Sequence, residues 1–259
     1  MSDFIQQWHI ECAFRSSDSW VILSPIEQSI KRKIEAVGTP LKNWNININY
    51  GIKTGYNDAF IINTEKREEI LRNCRTEDER QRTAELIRPI LRGRDIKRYG
   101  YNWDNLWLIN THNGIKGVKP RININEYSAV KAYLDQHWDK ISKRADKGDT
   151  PYNLRNCAYM EDFYKPKIVW GNLNLSAAYS IAADGIFVNA PCPMIVPASK
   201  YLLAILNSKV ADYYIRQLGV TRNGGYFEYK PMFVENLPVP NNIDLSLIHI
   251  SEPTRLALI

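Results

Sequence analysis

Asp95-Ile96-Lys97 has the spacing in which an acid holds a divalent cation and a lysine two residues on activates a water, with Asp78 as a second acid upstream. Metal-dependent cleavage of a phosphodiester is the chemistry such a set would do. The same stretch carries Arg88, Arg92, Arg94 and Arg98, with only Asp95 against them and Gly93 to free the turn. Planar guanidinium forks suit phosphate oxygens and guanine edges, so the cluster also reads as a polyanion contact. Residues 51–60, Gly-Ile-Lys-Thr-Gly-Tyr-Asn-Asp-Ala-Phe, bracket a lysine and a threonine between two glycines. Glycine there lets a strand turn sharply and present Lys53, Thr54, Tyr56 and Asn57 outward. A second glycine loop, Arg222-Asn223-Gly224-Gly225-Tyr226, joins a cation to an amide and an aromatic ring.

Other chemistries are excluded by what these residues lack. No Pro-Pro pair occurs, so the Asn/Asp-Pro-Pro-aromatic tetrad that grips a flipped base is missing, as is a glycine-rich loop for S-adenosylmethionine. There is no G-x-S-x-G, and His9, His112 and His137 have no evident partner for nucleophilic hydrolysis. The dinucleotide fingerprint and the P-loop are absent too. Cys12, Cys74, Cys157 and Cys192 lie far apart without metal-ligand spacing and read as reduced, cytosolic thiols. The net charge of +6 fits a polyanionic partner, and seven Trp and fifteen Tyr among basic residues suit a nucleic-acid surface. No apolar run is long enough to cross a bilayer, and the N-terminus has no secretory pattern, so the expected location is cytoplasmic.

The elements that must position these residues follow from periodicity. Ser24 caps a helix with Pro25 at its first position, Ile26, Ile30 and Ile34 on one stripe, and Gly38 as its stop. Ile46, Ile48 and Tyr50 alternate with asparagines in a strand feeding Gly51, and a second strand over 59–63 predicts a hairpin with 53–58 at its tip. Thr76 with Glu79 reads as a capping box for a helix reaching about Pro89. Trp103 to Asn110 returns to strand, Tyr127 to Ile141 forms a four-turn amphipathic helix, and 165–197 holds three strand-like runs. Ser199 caps a single long helix to Leu218, ended by Gly219. The expected class is α+β, one mixed domain of strands with glycine-rich loops and amphipathic helices.

The ordered segments 51–60, Ile-Arg-Pro-Ile-Leu-Arg-Gly-Arg-Asp-Ile-Lys-Arg-Tyr (87–99), Leu-Trp-Leu-Ile-Asn (106–110), Lys-Pro-Lys-Ile-Val-Trp (165–170), Tyr-Leu-Leu-Ala-Ile-Leu-Asn-Ser-Lys (201–209) and Lys-Pro-Met-Phe-Val-Glu-Asn-Leu-Pro-Val-Pro (230–240) carry a resemblance. From about Trp20 to Pro240 the chain resembles the TaqI-like specificity domain. This is the C-terminal target recognition domain of adenine-specific DNA methyltransferases and type IIG restriction-modification enzymes. The resemblance implies that this domain grips duplex DNA and reads bases in the major groove. A separate catalytic domain, in cis or in trans, would bind S-adenosylmethionine and flip adenine; this chain itself would hold no cofactor and no metal.

On that reading Lys53, Arg92, Arg94, Lys97 and Arg98 supply mainly phosphate contacts, while Thr54, Tyr56, Asn57, Arg222 and Asn223 reach base edges. Residues 245–255 resemble the in-frame translation of a transposase adaptor used in sequencing libraries. The expected organisation is therefore a specificity domain over 1–244, a fragment without its N-terminal methyltransferase domain, and a non-native tail over 245–259. Two other readings stand beside it: a metal-dependent nuclease built on Asp78, Asp95 and Lys97, and a protein-interaction module docking through Tyr213, Tyr214 and exposed aromatics.

Overall fold

The computed structural model describes residues 23–241. His9, Cys12 and Trp20, and the whole 245–259 tail, lie outside the described residues. The chain forms two compact units, one of Ile46–Pro231 and one of Met1–Asn45 with Met232–Ile259.

In the smaller unit the helix Pro25–Val37 has the expected start: Ser24 Oγ accepts the Glu27 N–H at 3.3 Å, and the Glu27 carboxylate accepts the Ser24 N–H at 2.8 Å. Ile26 and Ile30 on its stripe are nonetheless exposed. The strand Thr39–Pro40 pairs antiparallel with Pro238–Val239. Gly38 is required by that approach, since a Cβ there would lie 2.7 Å from the Val239 nitrogen.

The larger unit mixes helices with largely antiparallel strands, the α+β class expected, and carries two four-stranded sheets. The first runs in the order Tyr179–Ala182, Lys167–Trp170, Pro193–Val196, Asn47–Tyr50, every pair antiparallel. Lys167–Trp170 and Pro193–Val196 are buried throughout, as central strands covered on both faces must be. The second sheet runs Phe187–Val188, Ile87–Leu91, Leu106–Ile109, Ile61–Asn63, with only the first pair parallel. A third, smaller sheet joins Thr221–Arg222, Tyr226–Glu228 and Leu173–Asn174.

Several expected elements resolve differently. The strands flanking 51–60 do not form a hairpin: Asn47–Tyr50 pairs with Pro193–Val196, whereas Ile61–Asn63 pairs with Leu106–Ile109 in the other sheet. The segment crosses from sheet to sheet through a helical turn, Asn57–Phe60, that buries Ala59 and Phe60. The helix Glu77–Leu86 stops before Pro89, and Arg88 and Pro89 lie on a strand. Glu79 does not complete a capping box on Thr76; its carboxylate accepts from Arg75 N–H at 2.9 Å, Ser128 Oγ at 2.8 Å and Ala129 N–H at 3.1 Å. It thereby ties two helix starts together. The helix expected over 127–141 breaks into Ser128–Asp135 and Trp138–Ile141.

The long C-terminal helix is also two, Lys200–Leu206 and Lys209–Leu218. Buried Asn207 leaves the helical path because its side chain accepts the Tyr179 N–H at 3.0 Å and donates to the Tyr179 carbonyl at 2.9 Å. Ser208 then caps the second piece through the Ala211 N–H at 3.1 Å.

Candidate nucleic-acid interface

The 51–57 loop is held from below. Gly51 N–H donates to the Cys192 carbonyl at 2.7 Å and Ile52 N–H to the Val188 carbonyl at 2.8 Å. A Cβ on Gly51 would overlap the Val188 carbonyl oxygen, so only glycine permits this approach. Arg144, buried and lying 4.3 Å over the Phe60 ring, donates to four backbone carbonyls. They are Thr54, Asp146 at 3.0 Å, Pro151 at 3.1 Å and Asn153 at 2.6 Å. Burial without a paired carboxylate pushes its guanidinium down to about 10.

This frame sorts the loop residues. Lys53 is 56% exposed at its side chain and pairs with Asp146 at 2.8 Å. Arg155, also exposed, meets the other oxygen of the same carboxylate at 3.2 Å. Lys53 and Arg155 together hold the Asp146 carboxyl below its ordinary range. Thr54, expected to point outward, is 2% exposed and donates its hydroxyl to Asn57 Oδ1 at 2.6 Å. Asn57 remains exposed, and half-buried Tyr56 sits edge-on to His137, with ring centroids 6.1 Å apart. No motif marks Arg144 or Arg155 in the sequence; at 144 the only signal is a basic residue at a helix end.

In the arginine cluster the roles also divide. Arg92 donates to both oxygens of buried Asp95, at 2.9 and 3.1 Å, and pairs with Asp104. Arg98 donates to the Asn207 carbonyl at 2.9 Å, and Lys97 to the Arg94 carbonyl at 2.7 Å. Arg94 is 72% exposed, with Asp104 only at 4.0 Å. Arg98 and Tyr99 form the tip of a short hairpin between Ile96–Lys97 and Gly100–Tyr101, where exposed Tyr99 takes φ of 66°. A tyrosine in the left-handed region at an exposed tip is held there by its surroundings, here the Tyr99 N–H bond to the Tyr179 carbonyl at 2.9 Å.

Nothing supports the nuclease reading. Both oxygens of Asp95 are engaged as a counter-ion to Arg92, and Asp78 lies exposed on the helix Glu77–Leu86. Among the described residues, no group of three or more His, Cys, Asp or Glu side chains is placed to hold a metal ion.

The third candidate segment is a true hairpin, Thr221–Arg222 against Tyr226–Glu228, with Asn223–Gly225 between them. Gly224 and Gly225 have φ of 77° and 78°, which tight turns of this hand demand. Its base is anchored: Arg222 Nε donates to buried Glu228 at 2.6 Å, and Lys230 meets the other oxygen at 2.7 Å. Arg216 lies 4.2 Å over the Phe227 ring, and the Tyr229 hydroxyl donates to Asp212. From Asn223 to Tyr226 the tip is exposed.

These three segments are neighbours in series. The 188–192 stretch bonds to Gly51 and Ile52 on one side, and on the other a Cβ on Gly93 would lie 3.4 Å from Cys192 Sγ and 3.5 Å from Gly171 Cα. Asn174 Nδ2 bonds the Gly171 carbonyl at 2.8 Å, and its strand pairs with Tyr226–Glu228. Tyr214, offered as part of a protein-docking face, is buried.

No curated protein matches the chain. Among solved structures it is similar to the type IIL restriction-modification enzyme MmeI, determined in complex with DNA, at 14% identity and a TM-score of 0.55, over 76% of this chain and 25% of that one. The type IIG restriction endonuclease BpuSI is similar at 18% identity and a TM-score of 0.54, over 86% of this chain and 27% of that one. The chain thus spans about a quarter of the length of these two enzymes, and at such identities the likeness speaks to the fold alone. A profile of the TaqI-like C-terminal specificity domain matches residues 88–239, more than half of the 259. The chain belongs to the TaqI-like C-terminal specificity domain family.

Proposed function

We propose that this chain recognises a specific double-stranded DNA sequence for an adenine-specific DNA methyltransferase or a type IIG restriction-modification enzyme. The family match over 88–239 carries the reading, because it covers both the arginine cluster and the 221–228 hairpin. Exposed Lys53, Arg94 and Lys97 present cations at the surface to phosphates, Lys53 in competition with Asp146, giving register and salt-dependent affinity, while Asn57, Asn223 and the hairpin tip carry groups that read base edges. Arg92, Arg98 and Arg222 act through the contacts that fix these loops, and Thr54 by positioning Asn57. The catalytic domain, in cis or in trans, would supply S-adenosylmethionine and the chemistry. Such a partner places the chain in the cytoplasm with the DNA; among the described residues no helix is long and apolar enough to cross a membrane.

Selection of the purified chain against a randomised duplex library at low salt tests this. The expected result is an enriched sequence whose binding weakens steeply as salt rises. Failure to retain any duplex, alone and with a methyltransferase catalytic domain added, would overturn the reading.

A further inference from the structure

Beside the 51–57 loop lies a cavity of about 500 Å³ lined by Tyr50, Lys53, Arg155, Asn156, Tyr159 and Pro191, among others. We propose that it seats a single unstacked nucleotide of the bound DNA, its base against the tyrosine wall and its phosphate against the cavity-facing sides of Lys53 and Arg155. The inference rests on the DNA-recognition reading and names a subsite within it.

The composition of the cavity argues for this ligand. Its charged lining residues are cations: Lys53 and Arg155 line it, while the acid they share, Asp146, does not. Two cations on one carboxylate leave one positive charge uncompensated, which a phosphodiester neutralises. Tyr50 is exposed and Tyr159 half-buried, the latter ring tilted against Phe163 with centroids 6.3 Å apart. Aromatic faces beside a cationic track are what an unstacked base needs, and every base has a π-face to offer. Asn156 accepts from Asn113 through Oδ1, which leaves its NH2 as a donor for a base or sugar oxygen. Cys157, also in the lining, is pushed up to about 11 by burial, so it stays a neutral thiol and adds no anion.

The walls are preorganised. Ile52 bridges Asn189 in parallel register, Ala190 N–H donates to the Ile52 carbonyl at 2.9 Å, and Gly51 bonds Cys192. The volume lies within the range of small-ligand sites, larger than a phosphate alone requires.

The test uses the full chain and three probes: a duplex of its selected sequence carrying 2-aminopurine at each position in turn, the single strand (dT)5, and thymidine 5′-monophosphate. The expected result is one position whose 2-aminopurine brightens on binding, with (dT)5 competing for the chain. Tyr50→Ala should weaken (dT)5 binding about tenfold while Tyr50→Phe keeps it. Arg155→Ala should lower the salt slope by about 1. Binding of the monophosphate with the same response to Tyr50→Ala also supports the seat, and identifies a free nucleotide as a sufficient ligand. If Arg155→Ala lowers the slope but no position brightens and Tyr50→Ala is silent, the cavity holds backbone phosphate only and the proposal falls. Selective duplex binding unchanged in both alanine variants also overturns it, leaving DNA recognition intact. A chain that retains no duplex, alone and with a methyltransferase catalytic domain added, sinks DNA recognition, and (dT)5 binding lost in Tyr50→Ala would then stand for the cavity on its own.

Discussion

The two glycine loops offered as DNA contacts are built in opposite ways. In 51–57 the glycine brings backbone against backbone, a buried arginine gathers four carbonyls beneath it, and Thr54 is turned inward. In 221–228 the glycines serve the turn alone; Arg222, Lys230 and Arg216 secure the base while Asn223 to Tyr226 stay exposed. A loop clamped along its length presents Lys53 and Asn57 at fixed positions, which suits a phosphate contact that sets register and one base-edge contact held in place by Thr54. A loop clamped only at its base can adapt its tip to a groove, which suits base readout.

The largest effect that would break this comparison is at Arg144. Arg144→Met strips hydrogen bonds from four carbonyls at once and should lower stability by about 3 kcal/mol or more, read as a fall in the urea midpoint. A midpoint within the error of the unsubstituted chain would show that the 51–57 loop is not clamped. The hairpin tip should behave otherwise. Asn223→Ala should change stability by less than about 0.5 kcal/mol, as exposed positions do. It should nevertheless relax discrimination at one base pair by about 1–3 kcal/mol, measured by competition between selected and singly altered duplexes.

The arginine cluster sharpens the same distinction within a few residues. Arg94→Ala should weaken binding evenly across sequences and reduce the salt slope by about 1, without moving the urea midpoint. Arg92→Ala should instead cost stability, because it leaves the buried Asp95 carboxylate without its guanidinium. Equal behaviour of the two variants in both assays would erase the division between exposed and structural cations.

How far the sequence could show this depended on the range of the interactions. The capped helix Pro25–Val37, the strand Asn47–Tyr50 and the glycine turn at 224–225 rest on local signals and stand where the pattern put them. The hairpin expected at 51–60 failed because both flanking strands choose distant partners, Met194 against Asn49 and Leu108 against Ile61. The break at Asn207 arises from its bonds to Tyr179, which helical periodicity cannot reveal. Charge alone made Arg92, Arg94 and Arg98 look alike. Only the placement of Asp95, Asp104 and the Asn207 carbonyl separates them.

Acid should separate the two loops by the smallest and most selective effect. Lys230 and then Arg222 hold the Glu228 carboxyl below its ordinary value of 4.5. A carboxyl lowered in the folded state contributes stability that is fully present above that ordinary value and is lost as pH falls through the lowered one. Protonating Glu228 therefore removes the partner of Arg222 and loosens the base of the hairpin. Arg144 has only carbonyl partners, which do not titrate there, so its staple on the 51–57 loop should persist. Backbone amides followed by NMR from pH 7 downward should show Thr221 and Phe227 moving below about pH 4.5 while Ile52 holds its position. Glu228→Gln should abolish the pH step at the hairpin. A step that survives this substitution, or one shared equally by both loops, would mean that another carboxyl, Asp146 first among them, controls the transition.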